Sequence, residues 1–596
     1  MDTSLPLINW NDATGSNFEA AGSSVGQDVL IGIIDSGIDH QHPFFAVNAA
    51  NAAFYTTNGE PDGQCKYTNN DTNNWPDFTS CKVVVAKVFH SDTTHTPQDF
   101  IAHGTHVAGT TGGNSGTPAD TGLVSGVAPA AVLGNYNVFP GDVGSASSDD
   151  IANAVEEAVE DGMDVLNLSL GGTPESTFDV LDLALRGAAD VGVVSAVAAG
   201  NSGPGAETVE SPGWSPWVIT AGATTNSHFN GQQASHATAG SAGAAVGDFD
   251  AFPDPAVTYP FVWWDTIDGR GTGEACESRP PRGANLSGQI ALIKRGACTF
   301  TTKIRNAQTV GAVGVVIFNN VAGDPTAMAH DGTDPFPSIP AVMVGKSYGE
   351  SLSAHSGTQL TVGGAIAERN SDNEDIIAGF SSRGPADTPD GLIVKPDMSA
   401  PGVNINSSIP CVTAEGETTE CGWAFFQGTS MATPHLAGAA AALIWDRQWD
   451  AAFAARDEQV KSLLVNNALQ GVVKDHVTGN NDVGVNVQGT GRLELVGAFD
   501  GTFYANPVGF YVGRVSRGGL SGSATVTLSG ETSGLSVVNV TQPSLAGVSF
   551  TTQVSGNDVT LTLTRGRGVR GDAEGVVTIS NGAGEQIHLV YFARFE

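Results

Sequence analysis

Ser430 has the strongest sequence context for a nucleophile. It lies in Gly428-Thr-Ser-Met-Ala-Thr-Pro-His435, directly before an apolar run that predicts a helix. A serine just inside a helix N-terminus exposes its hydroxyl. Its own backbone N–H points to where a carbonyl oxygen would become negative, with the positive end of the helix dipole behind it. A lone Gly-Thr-Ser is usually a helix N-cap, so the hypothesis depends on the whole octapeptide.

A serine hydroxyl needs a base and an orienting carboxylate. His103, in Ala102-His-Gly-Thr-His-Val-Ala-Gly109, is the candidate base. Reading His103 and His106 as metal ligands is disfavoured, because neither an HExxH arrangement nor an evident third ligand accompanies them. Asp35, at the end of an apolar strand, can supply the buried carboxylate. Asp39 is its main rival and is expected to cap the following turn instead.

Asn201 is the candidate for a second oxyanion donor. It follows an apolar strand in Ala198-Ala-Gly-Asn201, where its amide could point at the oxyanion opposite the Ser430 N–H. A donor of this kind is worth about 10²–10³ in rate. Taken alone, Asn201 would be an ordinary turn residue, so this hypothesis depends on the other segments.

The predicted elements around these segments alternate between strands and helices. Apolar runs of strand length are Asp28 to Asp35, Asp164 to Ser169 and Gly192 to Ala199. Amphipathic helices are predicted from Asp149 to Asp161 and from Phe178 to Asp190. This alternation predicts an α/β fold with a doubly wound, mostly parallel sheet. Functional residues are expected outside the carboxyl ends of its strands.

Two further units are predicted. Between roughly Phe252 and Ala365 a strand, a helix and a second strand form a compact βαβ-like piece, and the α/β pattern resumes at Ile376. After Leu493 no helix is expected, and short alternating strands predict a small β-sandwich. The expected domains are an α/β domain in two parts, 1–250 and 366–500, an insertion at 251–365 and a β-sandwich at 501–596.

Charge and hydropathy exclude some classes of partner. The chain has 62 acidic and 26 basic residues and a formal net charge of -36. This charge repels phosphate-rich polymers and anionic surfaces, so we expect no nucleic-acid partner and no membrane association. The longest apolar run, from Leu436 to Trp445, is well short of the roughly 20 residues that a membrane span needs.

The cysteines favour an extracellular protein. The six fall into pairs that are close in the sequence: Cys65 with Cys81, Cys276 with Cys298, and Cys411 with Cys421. This spacing suggests short disulfides in surface loops, although other connectivities are open, and disulfides persist in oxidising compartments. The chain begins at Met1-Asp2 without a basic and apolar leader, so a signal peptide is expected to be absent from it.

Taken together, the four segments resemble the subtilisin-like serine peptidases (subtilases, peptidase family S8). The matching motifs are Ile34-Asp-Ser-Gly37, His103-Gly-Thr-His-Val-Ala-Gly109, Ala199-Gly-Asn201 and Gly428-Thr-Ser-Met-Ala-Thr-Pro434. The resemblance covers roughly residues 20 to 250 and 366 to 500. The insertion resembles a protease-associated (PA) domain through Arg295-Gly-Ala-Cys-Thr-Phe300 and Gly311-Ala-Val-Gly314. The C-terminal part resembles a fibronectin-III-like domain.

The resemblance implies a secreted serine endopeptidase of broad specificity that works through an acyl-enzyme. Asp35, His103 and Ser430 would be the triad, with Asn201 as the side-chain half of the oxyanion hole. The alternative from another class is a binding or adhesion protein on a degenerate protease scaffold. The four intact catalytic positions disfavour that alternative.

The resemblance also implies how a peptide substrate would bind. An extended peptide would add as a strand to backbone edges. The residues implied for substrate binding are Ser169, Leu170, Gly171, Gly172, Ala198, Ala199, Gly200 and Glu210. Glu210 stands where many relatives have glycine. It is expected either to fill the pocket for the residue before the cut or to admit basic side chains there.

No metal and no cofactor are expected. Many bacterial subtilisins have an acidic calcium ligand after a His-Pro, whereas His42-Pro43 is followed here by Phe44. Protein and peptide substrates are the expected partners. A propeptide inhibitor is a further candidate partner, and its segment is expected to be absent from this chain. No oligomeric state is predicted.

Overall fold

A computed structural model describes residues 3–17, 19, 22–47, 74–92, 94–141, 143–173, 179–371, 373–389, 391–412, 420–449 and 455–596. The chain forms two compact units. The first comprises Met1–Thr224, Ile377–Val473 and Asn481–Glu596, and the second comprises Thr225–Ile376 and Lys474–Asn480. No helix in the described part of the chain is both long enough and apolar enough to span a bilayer.

The helices of the described residues are numbered here in chain order. They are α1 Ser4–Leu7, α2 Trp10–Thr14, α3 His103–Gly112, α4 Ser148–Glu160, α5 Val180–Asp190, α6 Asp265–Asp268, α7 Phe300–Thr309, α8 Lys346–Ser353, α9 Thr429–Arg447, α10 Arg456–Asn466, α11 Val485–Gln488 and α12 Leu495–Asp500. Short 3-10 turns span Pro43–Phe45 and Pro76–Phe78.

The strands are numbered in the same way. The first half of the chain contains β1 Leu30–Asp35, β2 Val83–Val88, β3 Thr117–Ala119, β4 Gly122–Val124, β5 Val132–Asn137, β6 Val165–Leu168, β7 Val194–Ala198, β8 Ile219–Thr225, β9 His228–His236, β10 Gly240–Ala245, β11 Val257–Trp263 and β12 Ile290–Lys294. The second half contains β13 Gly314–Phe318, β14 Ala341–Val344, β15 Gln359–Asn370, β16 Ala386–Thr388, β17 Gly391–Ile393, β18 Met398–Val403, β19 Ile405–Ile409, β20 Gly422–Phe426, β21 Phe503–Asn506, β22 Gly509–Val515, β23 Ser521–Gly530, β24 Ser536–Val540, β25 Val548–Ser555, β26 Asp558–Arg565, β27 Gly571–Ser580 and β28 Gln586–Phe595.

A seven-stranded sheet in the order β18-β8-β7-β6-β1-β5-β2 forms the centre of the first unit. From β8 to β2 every neighbouring pair is parallel. Strand β1 lies between β5 and β6, with Ile31 opposite both Leu133 and Val165. Parallel neighbours require crossover connections, here supplied by helices such as α4 between β5 and β6. The predicted α/β fold with a large parallel sheet is therefore confirmed.

Side chains of β1 alternate between two apolar clusters. Ile31 and Ile33 pack in one cluster with residues of α3 and α9, whereas Leu30 and Ile34 pack in the other with residues of α4 and α5. Successive strand residues point to opposite faces, so helices cover both sides of the sheet. Because both faces are covered, every residue of β1 is buried, and its sequence is a continuous apolar run up to Asp35.

The helices that cross between these strands begin with polar caps. Helix α4 follows Ser147, whose hydroxyl accepts a hydrogen bond from the Asp150 nitrogen. Helix α5 follows Asp179, whose carboxylate accepts one from the Leu181 nitrogen. These side chains satisfy backbone N–H groups that have no partner within the helix. Both helices lie within two residues of their predicted limits.

The second unit contains a closed barrel of strands in the order β10-β14-β13-β12-β11-β15-β9. Strands β11 to β14 pair in parallel, and β9 and β10 pair antiparallel with each other and with β15 and β14. Strands β9 and β10 precede residue 251, the expected start of the insertion. They carry few large apolar residues, which explains why their part in the barrel has no clear sequence signal.

Residues after Asp500 form two four-stranded sheets, β21-β23-β26-β25 and β22-β28-β27-β24. Side chains from both sheets share one apolar cluster, which includes Phe503, Leu561, Ile579 and Tyr591. The expectation of no helix after Leu493 is wrong, because α12 spans Leu495–Asp500. Glu494 begins this helix by accepting hydrogen bonds from two of its backbone N–H groups.

Ionic contacts join the C-terminal sheets to the α/β part of the first unit. Arg594 of β28 contacts Asp572 at 2.7 Å and also reaches Glu207 at 2.5 Å. The Glu207 nitrogen donates to the Gly384 carbonyl at 3.1 Å. Asn486 Nδ2 of α11 donates to a Glu574 carboxylate oxygen at 2.5 Å. The C-terminal sheets thus contact loops of the α/β part.

Two of the predicted disulfides are present in the described residues. Cys276 is bonded to Cys298, and Cys411 is bonded to Cys421. The predicted pair of Cys65 with Cys81 remains a prediction, because Cys65 lies outside the described residues.

A buried ion pair joins α10 to the amino ends of the central strands. Arg456 is 1% exposed, and its guanidinium donates to Asp164 Oδ1 at 2.6 Å and to the Gly192 carbonyl at 2.9 Å. The other Asp164 oxygen accepts the Leu30 nitrogen at 2.9 Å. Burial raises the pKa of Asp164 although Arg456 lowers it. Arg456 thus offsets part of the effect of burial on this carboxylate.

We expect Arg456→Met to lower the free energy of unfolding by roughly 3–5 kcal/mol, because it leaves the Asp164 charge buried without its partner. Denaturant unfolding followed by circular dichroism measures this loss. The double variant Arg456→Met/Asp164→Asn should recover part of it, because the uncompensated charge is gone. A loss below about 1 kcal/mol in the single variant would contradict the assigned importance of the pair.

Candidate active site

The four predicted catalytic residues line one cavity at the carboxyl edge of the central sheet. Asp35 is the last residue of β1, His103 the first residue of α3, and Ser430 the second residue of α9, while Asn201 follows β7. The cavity has a volume of about 360 Å³. Carboxyl ends of parallel strands meet at one edge, so residues distant in the sequence come together there.

His103 and Asp35 form the closest contact of the site. His103 Nδ1 lies 2.7 Å from Asp35 Oδ1; Asp35 is 1% exposed, whereas the imidazole is 31% exposed. An ionised carboxylate can only accept, so Nδ1 carries a proton and Nε2 of the neutral ring is free to accept one. Burial alone would lower the pKa of His103, but the charge and hydrogen bond of Asp35 outweigh it and raise this pKa.

Asp99, which sequence reasoning missed, holds the start of α3. Its carboxylate is fully buried and accepts hydrogen bonds from the backbone nitrogens of Ile101, Ala102 and Thr105 at 2.8–3.0 Å. It also accepts a hydrogen bond at 3.0 Å from Oγ of Ser36, the residue that follows Asp35 in the chain. Asp99 thereby joins the helix that begins with His103 to the strand that ends with Asp35.

Ser36 completes this connection. Its hydroxyl oxygen accepts the Gly104 nitrogen at 2.8 Å, and its own nitrogen donates to Asp35 Oδ1 at 2.8 Å. Asp35 Oδ1 therefore accepts hydrogen bonds from both His103 Nδ1 and the Ser36 nitrogen. A signal for Asp99 existed in the sequence, because an Asp shortly before a helix is a common N-terminal cap, but many such residues have no link to a site.

Reciprocal hydrogen bonds join Ser430 to Ser169 at the end of β6. Ser169 Oγ donates to the Ser430 carbonyl at 2.8 Å, and Ser430 Oγ donates to the Ser169 carbonyl at 3.2 Å. Pro434 lacks an N–H, so the Ser430 carbonyl has no ordinary helical donor, and Ser169 supplies one. Ser430 Oγ thus donates to the Ser169 carbonyl in this structure, and no hydrogen bond joins it to His103.

The Asn201 amide and the Ser430 nitrogen both lie near one point beside Gly428. Asn201 Oδ1 accepts hydrogen bonds from the Thr429 nitrogen at 3.0 Å and from its hydroxyl at 3.1 Å. These bonds determine the orientation of the amide and leave Nδ2 to donate elsewhere. A methyl group added at Gly428 would lie 3.5 Å from the Ser430 nitrogen and 3.7 Å from Asn201 Nδ2. An oxygen near that point could therefore meet both donors.

Comparison with known proteins is consistent with this geometry. The sequence profile of the subtilase family matches residues 26–497. The chain belongs to the subtilase family. The minor extracellular protease Vpr of Bacillus subtilis (strain 168) is 32% identical over 528 residues, which is 86% of this chain and 56% of that protein. Subtilisin-like protease SBT1.5 of Arabidopsis thaliana is 31% identical over 469 residues, 71% of this chain and 56% of that protein. The chain thus spans a little over half the length of these relatives.

In this subtilase the residues expected to bind substrate fall into two groups. Those that line the cavity are Ser169, Leu170, Gly171, Ala198, Gly200 and Glu210. Gly172 and Ala199 instead hold the turn that carries Glu210. Gly172 exchanges two backbone hydrogen bonds with Ser211, and the Ala199 carbonyl accepts the Glu210 nitrogen at 3.0 Å.

The rival candidates have other partners in the subtilase. Asp39 accepts hydrogen bonds from the Gln41 and Cys411 nitrogens at 3.1 and 2.6 Å, so it holds a turn and the start of a loop. His106 Nε2 faces the Ile405 and Ala424 carbonyls at 2.9 and 3.1 Å, and burial lowers its pKa to about 3. Among the described residues no group of three or more His, Cys, Asp and Glu side chains could hold a metal ion.

Asp99 generates a prediction about pH dependence. Burial raises the pKa of Asp99 to about 6, and the pKa of His103 is also raised. His103 must be neutral if it is to act as a base, and an ionised Asp99 accepts a hydrogen bond from every donor around it. Because the pKa of His103 is raised above 6.5, kcat/KM should already decrease as the pH falls toward 6.5, and below about pH 6, where Asp99 also takes up a proton, it should decrease more steeply than for a single proton.

We expect Asp99→Asn to lower kcat roughly 10–100-fold with little change in KM, because an amide donor would face backbone N–H groups and displace His103. In this variant the decrease of kcat/KM at low pH should reflect the uptake of a single proton. Asp92→Asn is the matched control, since the exposed Asp92 carboxylate accepts hydrogen bonds only from Thr94 in the described residues. An unchanged kcat and pH profile in Asp99→Asn would show that Asp99 does not position the base.

Proposed function

We propose that this subtilase is a serine endopeptidase that hydrolyses internal peptide bonds of proteins through an acyl-enzyme. The observation that carries the proposal is the convergence at one cavity of a buried carboxylate–imidazole pair, a serine at a helix start and two amide donors around one point. Asp35, His103 and Ser430 form the triad, and Asn201 and the Ser430 nitrogen form the oxyanion hole.

The reaction begins when Ser430 Oγ rotates from the Ser169 carbonyl to His103 Nε2. His103 takes the hydroxyl proton as the oxygen attacks the scissile carbonyl carbon, and Asp35 stabilises the resulting imidazolium. The oxygen that becomes negative receives hydrogen bonds from Asn201 Nδ2 and the Ser430 nitrogen. His103 then protonates the leaving amine, and water, activated by the same imidazole, hydrolyses the acyl-enzyme.

Substrate recognition in this proposal depends mainly on backbone. Residues 169–171 follow β6 and residues 198–200 include the end of β7, so both offer main-chain groups at the cavity. An extended peptide can add to such edges as a strand, and its main-chain bonds are independent of its side chains. Specificity outside the residue before the cut should therefore be broad.

The proposal also covers the barrel unit, the C-terminal sheets and the cellular location of the protein. The barrel unit would be a PA domain, on the motif from Arg295 to Phe300, and the C-terminal sheets a fibronectin-III-like domain. The disulfides favour secretion. The Bacillus subtilis relative is named as an extracellular protease. A propeptide inhibitor remains a candidate partner.

Covalent labelling tests the nucleophile. A fluorophosphonate should label the protein with one equivalent, and Ser430→Ala should abolish labelling and hydrolysis of a casein substrate, because the attacking oxygen is lost. Mass spectrometry of the labelled peptide locates the site. A protein that works only by binding would label in neither form, and labelling of a serine other than Ser430 would contradict the assignment.

We expect Asn201→Ala to lower kcat about 10²–10³-fold while KM changes little, because Asn201 Nδ2 donates mainly to the transition state. Steady-state kinetics with a peptide anilide measures both constants. Fluorophosphonate labelling should persist at a reduced rate, since the nucleophile remains. A loss confined to KM would show that Asn201 binds the ground state and is not an oxyanion donor.

A further inference from the structure

Glu210 lies on a turn that is hydrogen-bonded to both walls of the cavity. Its nitrogen donates to the Ala199 carbonyl at 3.0 Å, beside the end of β7. The next residue, Ser211, exchanges hydrogen bonds of 2.8 and 2.9 Å with Gly172, beside the end of β6. The position of the Glu210 backbone is thus determined by the same two segments that are proposed to bind the substrate.

The side chain of Glu210 extends between these walls. A methyl group added at Gly200 would lie 2.4 Å from the Glu210 carboxyl carbon, and one added at Gly171 would lie 2.8 Å from Oε2. The carboxylate therefore uses the space left by two residues without side chains. A cavity of about 360 Å³ remains with Glu210 as part of its lining, so Glu210 does not close the site.

No cation neutralises this carboxylate within the cavity lining. Glu210 Oε1 accepts a hydrogen bond from Ser202 Oγ at 2.6 Å, which is a neutral donor. The residues that line the cavity include neither Lys nor Arg, and the other carboxylate among them, Asp35, is bonded to His103. The net charge of -36 adds a negative field around the site.

We propose that Glu210 makes this site select lysine or arginine as the residue before the cleaved bond. A long basic side chain entering the cavity would place its cation against the Glu210 carboxylate, while its methylene stem contacts the apolar walls. Ser202 holds the carboxylate in place through its hydrogen bond to Oε1. This inference rests on the proposed endopeptidase function and names the substrate class of that site.

Kinetics with peptide anilides that differ only in the residue before the cut tests the proposal. We expect the wild type to have kcat/KM values at least tenfold higher for Lys and Arg than for Leu or Ala. Glu210→Gln keeps the shape and removes the charge, so it should lower kcat/KM for Lys and Arg about 10–100-fold. For Leu, it should change kcat/KM by less than about threefold, since no charge is recognised.

Two comparisons make the result specific. Asp190→Asn, which removes one exposed charge at the end of α5 outside the cavity, should leave all ratios unchanged. Added salt should reduce the preference for Lys and Arg in the wild type, because screening weakens the interaction. A preference that survives in Glu210→Gln would overturn the proposal.

A different outcome would identify Glu210 as a filler of the pocket. The wild type would then favour Ala over Lys and Leu, and Glu210→Gly would gain activity on Leu, which overturns the proposal. Fluorophosphonate titration separates this failure from failure of the proposed function. A protein that labels at Ser430 without a basic preference refutes only the role of Glu210, whereas a protein that does not label refutes the endopeptidase itself.

Discussion

The parallel pairing of β1, β6 and β7 is the constraint on which the site depends. Because neighbouring parallel strands end at one edge, Asp35, Ser169 and Ala198 come within one cavity although they are far apart in the chain. Strand β6 lies between the other two, so Ser169 is placed centrally. Its hydroxyl donates to the Ser430 carbonyl, and its carbonyl accepts a hydrogen bond from Ser430 Oγ. If the strand order changed, Asp35 and the proposed oxyanion donor Asn201 would separate.

The two helices that supply the proposed base and the proposed nucleophile are held at their first residues by side chains from that edge. Asp99 and Ser36 hold the start of α3, whereas Ser169 and Asn201 hold the start of α9. The first N–H groups of a helix have no acceptor within the helix, so they donate readily to oxygen atoms of nearby side chains. The polar groups that satisfy the backbone thus also position the groups proposed to react.

Much of this could be predicted from the sequence. Strands β1, β6 and β7 are apolar over strand length, because both faces of the sheet are covered, and α4 and α5 have clear amphipathic periods. Asp35, His103, Asn201 and Ser430 lie in motifs specific enough to be recognised. The structural roles of Asp99 and Ser36 could not be predicted in this way, because these roles come from hydrogen bonds to residues distant in the chain.

Other features were beyond the sequence for different reasons. Strands β9 and β10 contain mostly small and polar residues, so only their pairing within the barrel reveals them. The short helix α12 depends on the cap from Glu494. The choice between the two roles for Glu210 needed the positions of Gly171 and Gly200, because the space that a side chain occupies is set by its neighbours.

The contact of Arg594 with Glu207 connects the end of the chain to the loop between Asn201 and Glu210. That loop carries both the proposed oxyanion donor and the proposed selector of basic residues. Strand β28 therefore supports the loop that carries Asn201 and Glu210, and that loop has all its contacts only when the C-terminal sheets are folded against it.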